Sequence, residues 1–371
     1  MTIYDQLGVR RVLNAAGALT AVGGGLLPDE VIDAMRDAGR SYVDMHEFHA
    51  AVGKHLAELT HNEAAFVTSG CAAAVALGTL AAITEGDPRL IVKMPEGEGL
   101  RTEVVIHHAH RTPYDAAVRM AGGRLVQIGN SYQTFEWELE AAITPRTALV
   151  LWLDGTDMGH GGLDLATTVR IAHARGVPVL VDAAAQLPPH TNLWRYTRDT
   201  GADAAVFSGG KHLRGPQSSG LMVGTEAFIA AARANASPYQ RLARALKPGK
   251  ENIAGLVRAV ELFLARDHGA VEQRWEAEVS EWAEGLTAVP GVVARRSWPN
   301  EAGQAIPRLR VSVRDAGRRD AVVAALWERT PRVHVLRGSD PFDFYLTPET
   351  LAEGEHGVVL EAVVSELVAH A

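Results

Sequence analysis

Two residues suited to covalent and acid–base chemistry each follow an apolar run of strand length. Asp182 lies near the end of the run VPVLVDA (177–183), and Lys211 comes shortly after the run AAVFSG (204–209). Lys211 lies 29 residues after Asp182, a distance of about one strand–helix–strand unit, so both should lie at the carboxyl edge of one parallel sheet, where open α/β folds bind ligands. A lysine there can form a Schiff base with a carbonyl cofactor, and a desolvated carboxylate needs a cation such as a protonated ring nitrogen. The alternatives are a helix-capping or turn carboxylate and a solvated loop lysine.

A third segment, FVTSGCAAAVALGTLAAI (66–83), has the features of a phosphate cradle. It predicts a strand that leads through Ser69, Gly70 and Cys71 into an alanine-rich helix. Small residues at a helix N-terminus leave backbone N–H groups free at the positive end of the helix dipole. The segment contains neither GxxxxGKS/T nor GxGxxG, and by itself it also fits a plain packing helix. Together, a phosphate cradle, a carboxylate and a lysine at strand ends of one domain predict a site for pyridoxal 5′-phosphate (PLP).

Histidines cluster in two places, which raises the question of a metal site. His107, His108 and His110 follow a predicted strand, and His46 and His49 stand three residues apart on a predicted helix. Neighbouring strand residues point to opposite faces, so at most alternate histidines of the first group converge, and HEFH is not the HExxH motif. We therefore predict no metal site. A non-catalytic metal- or ligand-binding protein is the alternative from a different functional class.

Composition narrows the function further. The 371 residues include 36 Lys+Arg and 44 Asp+Glu, a formal charge of −8 with no basic run, so we expect no nucleic-acid partner. No apolar stretch approaches the roughly 20 residues that span a bilayer, and the N-terminus lacks a signal-peptide pattern, so we expect no membrane association. Cys71 is the only cysteine, which excludes an intrachain disulfide. We expect a cytoplasmic enzyme with a small-molecule substrate.

The elements that must position these residues alternate between strands and helices. Most strand candidates are continuous apolar runs, which is typical of a parallel sheet buried on both faces. Asp164 and Gly176 predict the beginning and end of one intervening helix. The strand candidates of this region are EAAFVTS (63–69), RLIVKM (89–94), EVVIHH (103–108), RLVQIG (124–129), TALVLWL (147–153), VPVLVDA, AAVFSG and SGLMVG (219–224). The rhythm predicts a doubly wound α/β domain.

We expect three divisions of the chain. Residues 1–49 form an N-terminal segment that packs on the small domain and the site. Residues 50–245 form the large PLP-binding α/β domain, and residues 246–371 form a smaller α+β C-terminal domain with strands at 308–313 and 332–337.

The sequence resembles fold-type I PLP-dependent enzymes of the selenocysteine synthase (L-seryl-tRNA selenium transferase)-like group, and within it the D-glucosaminate-6-phosphate ammonia-lyase-like branch. The resemblance extends to about residue 265 and implies a mostly parallel sheet with helices on both faces. The stretches that carry it are RVLNAAGALTAVGG (11–24), YVDMHEF (42–48), EAAFVTSGCAAA (63–74), HRTPYDAAVRMAGGRLVQIG (110–129), VPVLVDAAAQLPP (177–189), SGGKHLRGPQSSGLMVG (208–224) and KPGKENIAGL (247–256).

The resemblance implies roles for individual residues. Lys211 matches the Schiff-base lysine, Asp182 the carboxylate on the pyridine nitrogen, and His110 the residue that stacks on the ring. The implied cofactor-binding residues are Ser69, Gly70, Cys71, His110, Asp182, Ser208 and Lys211. The implied substrate-binding residues are Asn14, Thr20, Glu47 and Arg214, and Gln217, Lys247 and Lys250 are further candidates for anion contacts. Trp152, Asp154 and Asp157 match no pattern; of the two alternatives, specificity determinants and ordinary loop residues, we favour the second.

The resemblance also implies an activity and an assembly. We expect a PLP-dependent lyase that catalyses α,β-elimination, with dehydration and deamination, on a small hydroxylated amino acid or an amino sugar acid. The alternatives are an amino-acid racemase or epimerase and an aldolase, because the same electron sink serves all three. Relatives are dimers or larger rings, so a homodimer or higher homo-oligomer is expected. The acidic charge and the absence of a basic run speak against a tRNA substrate.

Overall fold

The computed structural model describes residues 2–155 and 160–371. The helices are α1 (Ile3–Gln6), α2 (Asp29–Gly39), α3 (Met45–Leu59), α4 (Cys71–Thr84), α5 (Pro88–Ile91), α6 (Ala116–Met120), α7 (Glu136–Ala142), α8 (Leu165–His173), α9 (Asn192–Trp194), α10 (Glu226–Asn235), α11 (Lys250–Ala265), α12 (His268–Thr287), α13 (Ala316–Glu328) and α14 (Glu355–Ala369). The strands are β1 (Val12–Ala15), β2 (Ala64–Thr68), β3 (Glu103–His107), β4 (Arg124–Ile128), β5 (Thr147–Leu153), β6 (Val179–Asp182), β7 (Ala204–Ser208), β8 (Gly220–Gly224), β9 (Val292–Ser297), β10 (Arg308–Val313), β11 (Arg332–Arg337) and β12 (Asp343–Leu346). Among these elements, no helix combines the length and the apolar character that crossing a bilayer requires.

The larger of two compact units comprises Leu27–Ala265 and Glu301–Gln304. Its seven-stranded sheet has the order β2-β8-β7-β6-β5-β3-β4. The five strands from β3 to β7 are parallel, whereas β8 runs antiparallel to both β7 and β2. The predicted α/β class with a mostly parallel sheet is confirmed.

Separate apolar cores cover the two faces of this sheet. Val179 and Val181 of β6 belong to the core formed with α3, α8 and α11. Leu180, which lies between them, belongs to the core formed with α4, α6 and α10. Because both faces are buried, successive residues of a strand must all be apolar, which explains the continuous runs in the sequence.

One strand prediction is wrong. Residues 89–94 were expected to form a strand, but Pro88–Ile91 form the short helix α5 instead. The Asp87 side chain accepts a hydrogen bond from the Arg89 N–H at 2.8 Å, and Pro88 stands at the first helical position. An N-cap followed by proline is a strong helix start, and it outweighs the strand-like apolar pattern.

The smaller unit comprises Met1–Leu26, Arg266–Asn300 and Ala305–Ala371. Its five-stranded sheet has the order β1-β11-β12-β10-β9, and β1 is parallel to β11. An apolar core that includes Trp282 of α12 and Phe344 of β12 joins this sheet to α12, α13 and α14. The division differs from the sequence-based boundaries, because α2 and α3 fall in the larger unit, where α11 packs against both.

Candidate active site

The carboxyl edge of the seven-stranded sheet gathers most of the predicted cofactor residues. Asp182 is the last residue of β6, and Ser208 is the last residue of the neighbouring strand β7. Ser69 and Gly70 connect β2 to α4, and Lys211 follows Ser208 in a turn. Parallel strands end at one edge, so the topology alone brings these groups together.

Asp182 has two hydrogen-bond donors, and both are on the same oxygen. Its Oδ1 accepts the Ala184 N–H at 3.1 Å and the Cys71 thiol at 3.4 Å. Within residues 2–155 and 160–371, no group donates to Oδ2. Burial raises the pKa of Asp182, while the two donors and the charge of Lys211 act against that rise. A carboxylate in this state is stabilised by a further cation or a charged N–H donor.

Cys71 is the first residue of α4, and its side chain is directed at Asp182. Burial, followed by the charge of Asp182, raises the pKa of the Cys71 thiol well above its ordinary value, and Lys211 only partly offsets this. The thiol is therefore protonated at neutral pH and acts as a donor. Its sequence position is in the predicted phosphate loop, but its side chain contacts the carboxylate.

The segment before α4 leaves room for an anion. Gly70 has φ +125°, a conformation that favours glycine, and a Cβ built on it would meet nothing within 4 Å. No side chain of the described residues caps the N-terminus of α4, and Ala72 is exposed although the rest of this helix is buried. Ser69 lies beside this opening, and its hydroxyl donates to the Leu246 carbonyl at 2.7 Å. The first N–H groups of α4 are thus available to a phosphate.

The loop that carries Lys211 is closed on itself. The Gly209 N–H donates to the Ser219 carbonyl at 2.9 Å, and the Gly215 N–H donates to the Gly209 carbonyl at 2.8 Å. A Cβ on Gly209 would overlap Ser219, so only glycine fits there. Arg214 stands in the same turn with φ +54° and donates its N–H to the Lys211 carbonyl at 2.9 Å. Lys211 is half-buried, and its charge acts on both Asp182 and Cys71.

His110 lies next to the carboxyl ends of β3 and β5. Its ring is fully buried, edge-on to Trp152 at 5.3 Å and tilted against His107 at 4.7 Å between centroids. Its Nδ1 accepts the Leu153 N–H at 3.2 Å, so the proton of a neutral ring is on Nε2. Stacking of this ring on a cofactor stays a prediction.

The predicted substrate residues belong to different units. Asn14 and Thr20 lie in the smaller unit, where the Asn14 side chain donates to the Gly17 carbonyl at 2.7 Å and accepts the Ala16 N–H at 3.1 Å. Glu47 is exposed in the first turn of α3, and Arg214 is beside Lys211; both lie in the larger unit. Their contacts with a substrate stay predictions.

The two histidine clusters differ from a metal site. His49 is buried and stacked on Phe66, with ring centroids 5.0 Å apart, and His46 contacts the ring of Tyr239. In the described parts of the chain, His, Cys, Asp and Glu do not form any group of three or more that could hold a metal ion.

Sequence reasoning missed a polar network behind the site. The Gln186 side chain donates to the carbonyls of Ala302 at 2.7 Å and Asp154 at 3.1 Å. The Gln304 side chain donates to the Leu187 carbonyl at 2.5 Å and contacts Nδ1 of His212, the residue after Lys211, at 2.8 Å. The glutamine in the VDAAAQLPP motif was the one available signal, because nothing local marks residues 301–304 as its partners.

Asp154 also has a defined environment. Its carboxylate accepts the Tyr196 hydroxyl at 2.5 Å, and burial, followed by that carboxylate, raises the pKa of Tyr196. Our interpretation of Asp154 as an ordinary loop residue did not foresee this contact. Asp157 lies outside the described residues.

Comparison with known proteins supplies independent evidence. The family model of L-seryl-tRNA selenium transferase (SelA) matches residues 12–273. D-glucosaminate-6-phosphate ammonia lyase of Salmonella typhimurium is 33% identical over 385 aligned residues, which cover 100% of this chain and 98% of the relative. The 5'-C-glycyluridine monooxygenase-decarboxylase of a Streptomyces species is 34% identical over 86% of this chain and 80% of its own.

Solved structures agree with these sequence matches. The structure of D-glucosaminate-6-phosphate ammonia-lyase superposes with a TM-score of 0.87 at 32% identity and covers 100% of this chain and 99% of that one. A PLP-bound structure of SPT superposes with a TM-score of 0.63 at 15% identity over 96% of this chain and 88% of its own, which is a likeness of fold.

Proposed function

The chain belongs to the L-seryl-tRNA selenium transferase family and is a PLP-dependent lyase, and from this premise we propose that it is an ammonia-lyase for a β-hydroxylated amino acid. We propose an amino sugar acid phosphate as the substrate class. The reaction breaks the Cα–H and Cβ–OH bonds, releases water, and ends with hydrolysis of the enamine to a 2-keto acid and ammonia.

The proposal rests on the hydrogen bonds and the burial of Asp182. One of its oxygens has two donors, the other has none among the described residues, and burial raises its pKa. This arrangement fits a group that brings its own charged N–H, as a protonated pyridine ring does. The uncapped N-terminus of α4 beyond Gly70 fits the phosphate of the same group.

The residues of the chain divide the work of holding this cofactor. We propose that Asp182 keeps the ring nitrogen protonated and that the N–H groups following Gly70, with Ser69 and Ser208, bind the phosphate. Lys211 holds the cofactor carbonyl in the resting enzyme. When bound, PLP supplies a ring that accepts the electron pair released at the substrate Cα.

Lys211 also moves the proton. With substrate bound, the free amine of Lys211 would take the proton from the substrate Cα and would deliver a proton to the departing hydroxyl. Lys211 is half-buried, and its charge lowers the pKa of both Asp182 and Cys71, which supports its place in the site for this second role. Glu47, Asn14, Thr20 and Arg214 are proposed to contact the rest of the substrate, and His110 to lie against the cofactor ring.

The test is a Lys211→Ala variant, with Lys93→Ala as the control because Lys93 is exposed and stands outside the proposed site. We expect the Lys211 variant to lose the visible absorption of the bound cofactor and about a thousandfold or more in rate, whereas the control keeps both. The assay measures 2-keto acid and ammonia from D-glucosaminate 6-phosphate and from D- and L-serine. An unchanged spectrum and rate in Lys211→Ala would falsify the assignment of the lysine.

The same assay separates the rival reactions. Exchange of the Cα hydrogen with solvent deuterium without release of ammonia indicates a racemase or epimerase, and release of an aldehyde indicates an aldolase. Either result replaces the proposed elimination while leaving the cofactor assignment intact.

We also propose that the protein acts in the cytoplasm as a homodimer or a larger homo-oligomer on a small molecule, without a nucleic-acid partner. Its net charge of −8 supports the last point. Light scattering of the purified enzyme measures the assembly, and a monomeric mass would contradict this part of the proposal.

A further inference from the structure

The thiol of Cys71 contacts the carboxylate that the proposed function assigns to the pyridine nitrogen. Its Sγ lies 3.4 Å from Oδ1 of Asp182, and the Ala184 N–H lies 3.1 Å from the same oxygen. Oδ2 has no donor among residues 2–155 and 160–371. We propose that Cys71 is a positioning residue, whose thiol together with the Ala184 N–H fixes Oδ1 so that Oδ2 faces the ring nitrogen of PLP. This inference rests on the cofactor assignment of the proposed function.

The fold explains why this thiol can reach the carboxylate. Cys71 is the first residue of α4, and the buried face of α4 covers the side of β6 that carries Leu180. Asp182 follows Leu180 by two residues, so its side chain points to the same side of the sheet. The small side chain of Cys71 therefore ends at the carboxylate, and no side chain of the described residues caps the first N–H groups of α4.

The chemistry of the thiol favours a donor over a nucleophile. Burial and the neighbouring Asp182 charge raise its pKa, and Cys71 is 9% exposed. A thiolate is needed for nucleophilic attack, and this environment disfavours it. The S–H donor favours the ionised form of the carboxylate, and because it is a weak donor the carboxylate can still accept the ring N–H.

Removal of the donor has a predictable, pH-dependent effect. In Cys71→Ala, Asp182 keeps only the Ala184 N–H, so its pKa rises further and it takes up a proton more readily. A protonated carboxyl group accepts the ring N–H less well than a carboxylate. PLP affinity should therefore fall about three- to tenfold near neutral pH, and the deficit should grow towards about pH 5.

The experiment compares PLP binding to cofactor-stripped wild type, Cys71→Ala, Cys71→Ser and Thr79→Ala, measured by absorption and fluorescence from about pH 8 to pH 5. Serine keeps a donor, so Cys71→Ser should stay within about twofold of wild type. Thr79→Ala is the packing control: Thr79 is fully buried in the same helix, where its hydroxyl donates to the Val75 carbonyl at 2.9 Å. It should lower stability without a pH-dependent loss of affinity.

Two results would overturn the inference. One is a Cys71→Ala variant with the PLP affinity and spectrum of wild type at every pH. The other is an equal, pH-independent loss in the alanine and serine variants, which would assign the thiol to packing alone. Because binding and spectra need no substrate, a failure of the proposed lyase reaction leaves this test intact, whereas a wild type that binds no PLP overturns both proposals.

Discussion

Two carboxylates lie at opposite edges of the seven-stranded sheet, and their surroundings differ in kind. Glu103 opens β3 at the amino edge, where Arg146, Arg124 and Thr144 all donate to it. Asp182 ends β6 at the carboxyl edge, where its donors are a backbone N–H and a thiol. Both groups lie in the same sheet, yet among the residues that the structure describes only Glu103 has arginine partners.

The pKa values of the two groups shift in opposite directions. Burial alone would raise the pKa of Glu103, but hydrogen bonds from Arg146, Thr144 and Arg124 outweigh it and lower the pKa below its ordinary value. At Asp182 burial prevails and the pKa is raised. The charge of Glu103 is thus compensated by side chains of the protein, whereas the charge of Asp182 is not, which supports our proposal that Asp182 pairs with a cationic group of the cofactor.

We expect the largest effect on turnover from a substitution of Asp182. Asp182→Asn keeps the size of the side chain but removes the charge that we propose lies opposite the ring nitrogen. Turnover should fall about a hundredfold or more, while the unfolding free energy of the cofactor-free protein stays the same or rises, because a poorly compensated buried charge is gone. Activity assays and urea unfolding measure the two quantities. A variant that retains full activity contradicts the role of Asp182.

We expect a smaller effect, on stability and not on turnover, from a substitution of Glu103. Glu103→Gln leaves two arginines without their buried partner, so the unfolding free energy should fall by about 1–3 kcal/mol, a value limited by the exposure of both arginines. The PLP spectrum and the kcat of the folded enzyme should be unchanged. Urea unfolding at neutral pH measures the loss, and a spectral change without a loss of stability would contradict the division between the edges.

We expect the smallest effect in the pH dependence of stability, which should differ between the Glu103 and Asp182 variants. The folded-state pKa of Glu103 is lowered, so its stabilisation is present above the unfolded value and is lost as pH falls through the folded value. The stability difference between wild type and Glu103→Gln should therefore shrink between about pH 6 and about pH 3. Asp182 has a raised pKa, so without cofactor its ionisation costs stability as pH rises, and the Asp182→Asn variant should gain relative to wild type in that direction. Urea unfolding across this range measures both trends, and parallel trends would contradict the assignment.

The structural features that the sequence predicted are local or lie at strand ends. Asp164 caps α8 through a hydrogen bond from the Thr167 N–H at 2.9 Å, as its position predicted. The sequence placed Asp182 and Lys211 at the same edge because continuous apolar runs indicate parallel strands, and the carboxyl ends of parallel strands lie at one edge of the sheet.

The remaining parts depend on contacts between distant segments. The direction of the Cys71 side chain follows from how α4 lies over β6, which no periodicity encodes. Gln304 reaches Leu187 across more than a hundred residues, and the site network it completes has no local signature. The division into units was likewise hidden, because it depends on the pairing of β1 with β11.

That pairing has a consequence for synthesis of the protein. β1 leaves the ribosome long before its partner strand, since Asn14 pairs with His334. At roughly 5–20 residues per second, β1 waits on the order of 20–60 s before β11 exists. During that time its backbone donors and acceptors are unpaired in the nascent chain, while the larger unit can already assemble. β1 is therefore made well before β11 and must wait for it before it can pair.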